Sequence, residues 1–254
     1  MEEPLELRVQ GEVLAVTMRT PGRDEWLALG FLLSEGLIRS AADVGALAHC
    51  GRPGDEGFGN ALEVTPAPGY RFPFDRLESS RRGTIASACG VCGRQRVDDL
   101  MARVVKVPAG APVPLPVVQR GPEVLRHTQA IFEQTGGTHA AALLDVGGEV
   151  LVAAEDVGRH NAVDKVVGGA LQKGLLSRAA VLMVSGRASF EMVQKAAMAR
   201  VGVLASVSAP TTLAVDLAER AGLALVAFVR GSSAAIYGTR DRLALHAGQP
   251  REGG

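Results

Sequence analysis

The chain has 254 residues, of which 47% are hydrophobic, and its 27 basic side chains balance 27 acidic ones. This composition argues against disorder and gives no electrostatic case for binding nucleic acid or an acidic membrane. No run approaches the roughly 18 apolar residues of a transmembrane helix, the acidic start is not a secretory signal, and three cysteines do not make a disulfide framework. We therefore expect a soluble cytoplasmic protein.

The first hundred residues predict a small α+β region. LELRV and VLAVTM alternate apolar and polar residues around Gln10-Gly11-Glu12, a pattern typical of a hairpin. Apolar residues at helical spacing predict a helix over 23–38, in which Trp26 and Phe31 pack into the core. ALEVT predicts one further short strand.

The second half alternates strands and helices regularly. Apolar strands such as EVLVAAEDV, AAVLMVSG and LALVAFVRG alternate with amphipathic helices such as SFEMVQKAAMAR and TTLAVDLAERA. This alternation predicts an α/β layer fold with a largely parallel sheet that is covered on both faces. The predicted organisation is an N-terminal α+β domain at 1–107, a Pro-rich linker at 108–116, an α/β domain at 117–240 and a C-terminal tail at 241–254.

Polar side chains follow the predicted strands at four places, namely 155–161, 185–189, 208–212 and 230–233. If the strands are parallel, these stretches meet at one edge of the sheet, where such folds bind ligands. Helix N-termini and arginines suit phosphate, so the pattern favours a nucleotide or pyrophosphate site, although helix capping explains any single stretch. The candidate side chains are Ser185, Arg187, Ser189, Thr211, Thr212, Arg230 and His160, the last of which has a structural role as its simpler explanation.

Cys89 and Cys92 lie in the glycine-rich stretch SACGVCGRQR, which allows three chemistries. A structural zinc site needs four ligands, and adding His49 and Cys50 gives adjacent ligands with no second spaced pair. Dithiol redox chemistry expects the cysteines between a strand and a helix, which this stretch does not predict. A thiolate that accepts sulfur and passes it on needs low crowding, and nearby arginines favour its ionised form. The residues alone leave all three open, together with a flexible loop whose thiols have no chemical role.

Several long blocks resemble the formate dehydrogenase accessory proteins, the FdhD family of sulfurtransferases. The blocks are GFLLSEGLI, SACGVCGR, TGGTHAAAL, EDVGRHNAVDKV, SGRASFEMVQKA and SAPTTLAVDLAERAGLALVAFVRG, and they cover most of residues 1–240. The resemblance implies a homodimer that takes persulfide sulfur from a cysteine desulfurase. The sulfur is delivered to the molybdenum (or tungsten) bis(molybdopterin guanine dinucleotide) cofactor, which formate dehydrogenase then receives.

The resemblance also implies a fold and roles for single residues. The second domain is expected to have the three-layer α/β fold of cytidine deaminases, without their zinc signature and without a tightly bound metal. Cys89 would carry the persulfide and Cys92 would assist. The implied cofactor-binding stretch is Phe228, Val229, Arg230, Gly231, Ser232 and Ser233. A non-catalytic cofactor chaperone and a zinc-stabilised binding module are the alternatives.

Overall fold

The computed structural model describes residues 2–52, 54–55, 57–74 and 105–245. Its first part is a four-stranded sheet in the order β2-β1-β4-β3. The strands are β1 (Glu3–Val9), β2 (Glu12–Arg19), β3 (Val44–His49) and β4 (Ala61–Pro66). The predicted hairpin of β1 and β2 is confirmed, and Gln10 and Gly11 both take positive φ in its turn, as a tight two-residue hairpin requires.

Helix α1 (Asp24–Ser34) covers this sheet and is shorter than the predicted span of 23–38. It ends because Gly36 takes a φ of 71° and reverses the chain. The amide of Gly36 then donates to Leu33 O and the amide of Leu37 to Leu32 O, which is the Schellman pattern of helix termination. Trp26 and Phe31 pack against the core, as predicted.

The second part is built on a six-stranded sheet in the order β11-β10-β9-β8-β6-β7. The strands are β6 (His139–Leu144), β7 (Val150–Asp156), β8 (Val181–Val184), β9 (Val203–Ser206), β10 (Ala224–Arg230) and β11 (Ser233–Gly238). Only β8, β9 and β10 pair in parallel, so the prediction of a largely parallel sheet is wrong. Tight turns join β6 to β7 and β10 to β11, and such turns impose antiparallel pairing.

Both faces of this sheet are covered, which confirms the predicted α/β layers. Leu182 and Val184 of β8 face a core cluster shared with α5 (Arg159–Gln172), α6 (Phe190–Met198) and α7 (Thr212–Ala221). Val181 and Met183 face the opposite cluster, shared with α2 (Leu115–Gln119) and α3 (Gly121–His127). A short helix, α4 (Ala130–Thr135), precedes β6. The continuous apolar strands follow from burial on both faces rather than from parallel pairing.

The two parts share one core across a close crossing of α1 and α5. A Cβ on Gly168 would overlap the carbonyl of Trp26, and a Cβ on Gly30 would overlap the carbonyl of Asp164. Glycine at both positions therefore lets the two helix backbones touch. β1, α1 and α5 all contribute to the same cluster of buried residues.

The stretches predicted as a linker and a tail contain ordered contacts. Val113–Pro114 forms strand β5, which pairs in parallel with β12 (Leu243–Ala244), and α2 begins at Leu115. The side chain of Arg242 donates to the carbonyls of Gly222, Val107 and Pro108. These contacts fix 107–114 and 242–244 to the fold, and 246–254 lie outside the described residues.

Candidate functional site

The carboxyl ends of β7, β8, β9 and β10 all point to one edge of the six-stranded sheet. β6 is antiparallel to both of its neighbours, so β7 runs in the same direction as β8. The four predicted polar stretches therefore meet, and we call residues 155–161, 185–189, 208–212 and 228–233 the strand-end edge. Open α/β sheets bind ligands at this kind of edge.

The stretches after β8 and β9 are fixed to each other. The amide of Ala188 donates to Ala209 O at 3.1 Å, and the amide of Thr211 donates to Ala188 O at 3.0 Å. Ser206 Oγ donates to Gly186 O at 2.7 Å. Ser185 Oγ accepts from the amide of Ala140, and Thr211 Oγ1 caps α7 through the amide of Ala214. Two candidate hydroxyls, those of Ser185 and Thr211, thus also stabilise the loops that carry them.

His160, Ser189 and Glu191 form a hydrogen-bonded group at the start of α6. His160 Nε2 lies 3.1 Å from Glu191 Oε2, and Ser189 Oγ donates to the same oxygen at 2.9 Å. The hydrogen bond with His160 lowers the pKa of Glu191 to about 2 against the opposing effect of partial burial. Glu191 is therefore a carboxylate at neutral pH, and it orients two of the predicted site residues.

The motif EDVGRHNAVDKV serves mainly to hold the edge in place. Asp156, fully buried, contacts Lys165 Nζ at 2.7 Å, and Lys165 also donates to Thr20 O at 2.7 Å. Asn161 Nδ2 donates to Asp156 Oδ1 and to Met18 O, which joins the end of β2 to the start of α5. Asp156 and Asn161 therefore form a structural network at the edge.

Three arginines at the strand-end edge lack an acidic partner among the residues that the structure describes. Arg159, Arg187 and Arg230 take part in none of the ion pairs there, and Arg159 Nε is buried without a hydrogen bond. The neighbouring carboxylates have other partners, since Glu155 accepts from α4 and Asp156 binds Lys165. Arg187 and Arg230 therefore leave positive charge at the edge, whereas Arg159 lies near the Glu191 carboxylate and its charge contributes to the lowered pKa of that group.

Arg159 and His139 were not predicted as site residues, although both lie in the quoted blocks. Gly186 lets them approach: a Cβ there would lie 3.2 Å from Arg159 Cβ and 3.5 Å from His139 Nδ1. Burial lowers the pKa of His139, and the charge of Arg159 lowers it further. Arg159 lies within the predicted polar stretch 155–161, whereas His139 is the first residue of β6 and reaches the same edge because β6 runs antiparallel to β7 and β8.

The stretch 228–233 comprises the bulged end of β10, the turn at Gly231 and Ser232, and the first residue of β11. Phe228 has a φ of 53° and a side chain that is 42% exposed, and its amide donates to Ser208 O. A non-glycine residue at positive φ is strained, and here the register shift of a bulge imposes it. The same bulge turns Val229 inward, where its side chain is buried in the core. Of this predicted stretch, all residues except Val229 are exposed at the edge, namely Phe228, Arg230, Gly231, Ser232 and Ser233.

The predicted thiols Cys89 and Cys92 lie outside the described residues. The chain on either side of them is anchored at the opposite edge of the sheet. Val107 donates its amide to Ala221 O, just before β10 begins, and Tyr70 Oη donates to Leu37 O. Leu37 follows Gly36, which approaches Met198 at the end of α6. Both anchors thus lie near the amino ends of β9 and β10.

The candidate ligands of the alternative zinc site can be placed only in part. His49 Nε2 lies 3.6 Å from Asp24 Oδ2, and Cys50 is partly buried. Within the described ranges, no group of three or more His, Cys, Asp or Glu side chains is arranged to hold a metal ion. Likewise, none of the helices described has the length and apolar character needed to cross a membrane.

Comparison with known proteins places the chain in a family. The profile of the FdhD/NarQ family matches residues 1–244. Proteins called "Sulfur carrier protein FdhD" are similar: that of Anaeromyxobacter dehalogenans is 55% identical over 96% of this chain and 88% of its own length. Those of Mycolicibacterium paratuberculosis and Streptomyces coelicolor are 50% and 49% identical over 96% and 97% of this chain, and 90% and 89% of their own lengths.

A solved structure shares the fold. The crystal structure described as a formate dehydrogenase accessory protein from Desulfotalea psychrophila has a TM-score of 0.74 and 24% identity, over 96% of this chain and 90% of its own. The match of the family profile to residues 1–244, together with relatives that are similar over nearly the whole chain, shows that the chain belongs to the FdhD/NarQ family.

Proposed function

We propose that this chain is a sulfur carrier that accepts persulfide sulfur from a cysteine desulfurase and transfers it to a molybdenum (or tungsten) bis(molybdopterin guanine dinucleotide) cofactor for formate dehydrogenase. The names of relatives at 49–55% identity support the carrier role. The resemblance of the quoted blocks to formate dehydrogenase accessory proteins supports formate dehydrogenase as the enzyme that receives the cofactor. A homodimer, which would offer two strand-end edges to the two dinucleotides, belongs to the same proposal.

The observation that carries the cofactor part is the set of unpaired arginines at the strand-end edge. Arg159, Arg187 and Arg230 offer forked donors with no acidic partner among the described residues. A guanine dinucleotide has a pyrophosphate with two negative charges, which is the complement of such donors. Ser185, Ser189, Thr211 and Thr212 lie beside them with hydroxyl groups. The edge therefore suits the phosphate portion of the proposed cargo.

The proposed sulfur transfer uses two thiols, because releasing sulfide from a persulfide takes two electrons and a second thiol can supply them by forming a disulfide. A Cys89 thiolate attacks the outer sulfur of the donor persulfide, giving a Cys89 persulfide and releasing the donor thiol, with no net oxidation. Delivery as sulfide requires two electrons. The Cys92 thiolate supplies them by attacking the inner sulfur, which forms a Cys89–Cys92 disulfide and releases HS⁻. A cellular dithiol reductant then returns both cysteines to thiols.

Sulfur transfer from a desulfurase tests the proposal. With labelled cysteine, we expect wild type and Cys50→Ala to be labelled and Cys89→Ala to remain unlabelled. Cys50 is the matched control because it lies outside the C-G-V-C motif. Cys92→Ala should hold the persulfide yet release no sulfide.

Three results would contradict the proposal. Normal labelling of Cys89→Ala would remove the assigned carrier. Restoration of formate dehydrogenase activity by a Cys89→Ala/Cys92→Ala double variant would favour the non-catalytic chaperone, and stoichiometric zinc in the purified chain would favour a zinc-stabilised module.

A further inference from the structure

Several segments of the chain meet at the side chain of Arg242, at the edge of the six-stranded sheet opposite the strand-end edge. Its guanidinium donates to the carbonyl of Gly222 at 2.8 Å, and to those of Val107 and Pro108 at 2.7 and 2.6 Å. A Cβ on Gly202 would lie 3.5 Å from Arg242 Nη1. Arg242 therefore holds three separate segments of the chain against one another.

Four further basic residues lie within two positions of these contacts. All four are exposed, and none forms an ion pair with a residue that the structure describes. We call them the amino-edge patch. Its members are Lys106, Arg200, Arg220 and Arg240.

The amino-edge patch lies where the parallel strands begin. Arg200 and Arg220 precede β9 and β10 by three and four residues. Arg240 follows β11, which ends at this edge because it runs antiparallel to β10. Lys106 joins them because the amide of Val107 donates to Ala221 O. The length of β10, about 20 Å, separates the patch from the strand-end edge.

The neighbourhood of the patch carries excess positive charge. Glu219 and Asp241 adjoin its members in the sequence, and Asp216 lies one turn before Arg220 on α7. Together with Arg242 there are thus five basic side chains and three acidic ones, in a chain whose charges balance overall. Arg242 makes the bonds that hold the segments together, so the charges of the patch are available to a partner.

We propose that the amino-edge patch binds an acidic surface of the protein that donates the persulfide sulfur. The inference rests on the proposed function, which requires such a donor to approach Cys89. The described chain resumes at Val105, thirteen positions after Cys92 and directly before Lys106. A donor bound to the patch would therefore lie beside the point at which the segment that carries the cysteines joins the described fold.

Charge complementarity at this surface would act mainly on the rate of encounter. Opposite charges steer two proteins together and raise the association rate constant by about 10- to 1000-fold at low salt. Exposed ion pairs add little to affinity, which suits a donor that must leave after each transfer. Val105, whose side chain is 39% exposed beside Lys106, adds apolar contact area.

The rate of persulfide formation on Cys89, measured on the full chain with two donors, tests the inference. One donor is a cysteine desulfurase supplied with labelled cysteine, and the other is the small molecule cysteine persulfide. We expect Lys106→Glu/Arg240→Glu and Arg200→Glu/Arg220→Glu each to slow labelling by the desulfurase about tenfold or more, through loss of steering. Neither variant should change the rate with cysteine persulfide, because that donor needs no protein surface.

Arg52→Glu/Arg126→Glu is the matched control, because it reverses the charge of two exposed arginines elsewhere on the fold. It should be labelled by both donors at the wild-type rate. Ionic strength provides a second measurement. Between about 20 mM and about 500 mM salt, the wild-type rate with the desulfurase should fall toward that of the patch variants, because salt screens exposed charges.

The two donors separate failure of the inference from failure of the proposed function. Labelling of both patch variants by the desulfurase at the wild-type rate would overturn the inference, as would equal slowing in the control. Patch variants that are labelled normally but no longer restore formate dehydrogenase activity would also overturn it, since the patch would then serve the recipient enzyme. Labelling of wild type by neither donor would count against the proposed function itself. The two patch variants share no residue, so one remains informative if the other does not fold.

Discussion

The buried pair of Asp156 and Lys165 gives the sharpest stability prediction. Lys165 is 2% exposed and Asp156 is fully buried, and Lys165 Nζ also donates to Thr20 O. Lys165→Met keeps most of the volume but removes the charge that compensates Asp156. Breaking a buried pair on one side costs about 3–5 kcal/mol. The amides of Thr20 and Gly158 still donate to Asp156, so we expect the lower end of about 3 kcal/mol.

Urea unfolding of wild type and the variant measures this cost. The control is Arg178→Met, because Arg178 also contacts two carboxylates but is 49% exposed, and surface pairs contribute about 0–1 kcal/mol. Asp156→Asn/Lys165→Met should recover part of the loss, since no unpaired buried charge remains. A loss for Lys165→Met no larger than that of Arg178→Met would refute the reasoning.

Three further predictions follow from the geometry. The folded-state pKa of Glu191 is lowered from 4.5 to about 2, so the stabilisation that its carboxylate gives is complete above pH 4.5 and lost as pH falls through 2. The free energy of unfolding of Glu191→Gln, measured in acid, should lack that part of the pH dependence. A pH profile identical to that of wild type would contradict the stabilising role of Glu191. Gly168→Ala should lower the free energy of unfolding by about 1–3 kcal/mol despite better helix propensity, whereas Gly110→Ala, which meets only Arg242 Nη1 at 4.0 Å, should be neutral. Arg159→Met should weaken GDP binding by about 1.5–3 kcal/mol, measured by calorimetry, while Arg200→Met at the opposite edge should not; equal effects would argue for nonspecific charge.

The sequence was sufficient to predict features that depend on local pattern. Apolar runs and helical spacing located β8, β9 and β10 and the helices between them, and the order of elements brought the polar stretches to one edge. Whether neighbouring strands pair in parallel or antiparallel was harder to predict. β6 is as apolar as a parallel strand, and the only sequence feature that indicates its antiparallel pairing is the short turn to β7. The helices α2 to α4 have five to seven residues, too few for a periodic signal.

Within the candidate site, the sequence could not predict which residues far apart along the chain would contact each other. His160 was selected for its chemistry, but its contact with Glu191 depends on packing of α5 against α6. Val229 belongs to the implied cofactor-binding stretch, but a bulge turns its side chain into the core, and no pattern in the sequence predicts that bulge.

The crossing of α1 and α5 bears on how a bound sulfur could travel. The backbones of α1 and α5 touch at Gly30 and Gly168, so no side chains lie between the two helices there. Hinge bending between the two parts would therefore have to break this close-packed contact. Under the proposed function, the described parts of the chain are therefore not expected to bend apart in order to carry a sulfur group. Fourteen residues lie between Phe74 and Cys89 in the sequence, and fourteen between Cys92 and Val107. Covalent geometry alone therefore keeps each cysteine within about 54 Å of the described residue on its side, and the proposed function requires a sulfur donor and the cofactor both to reach that volume.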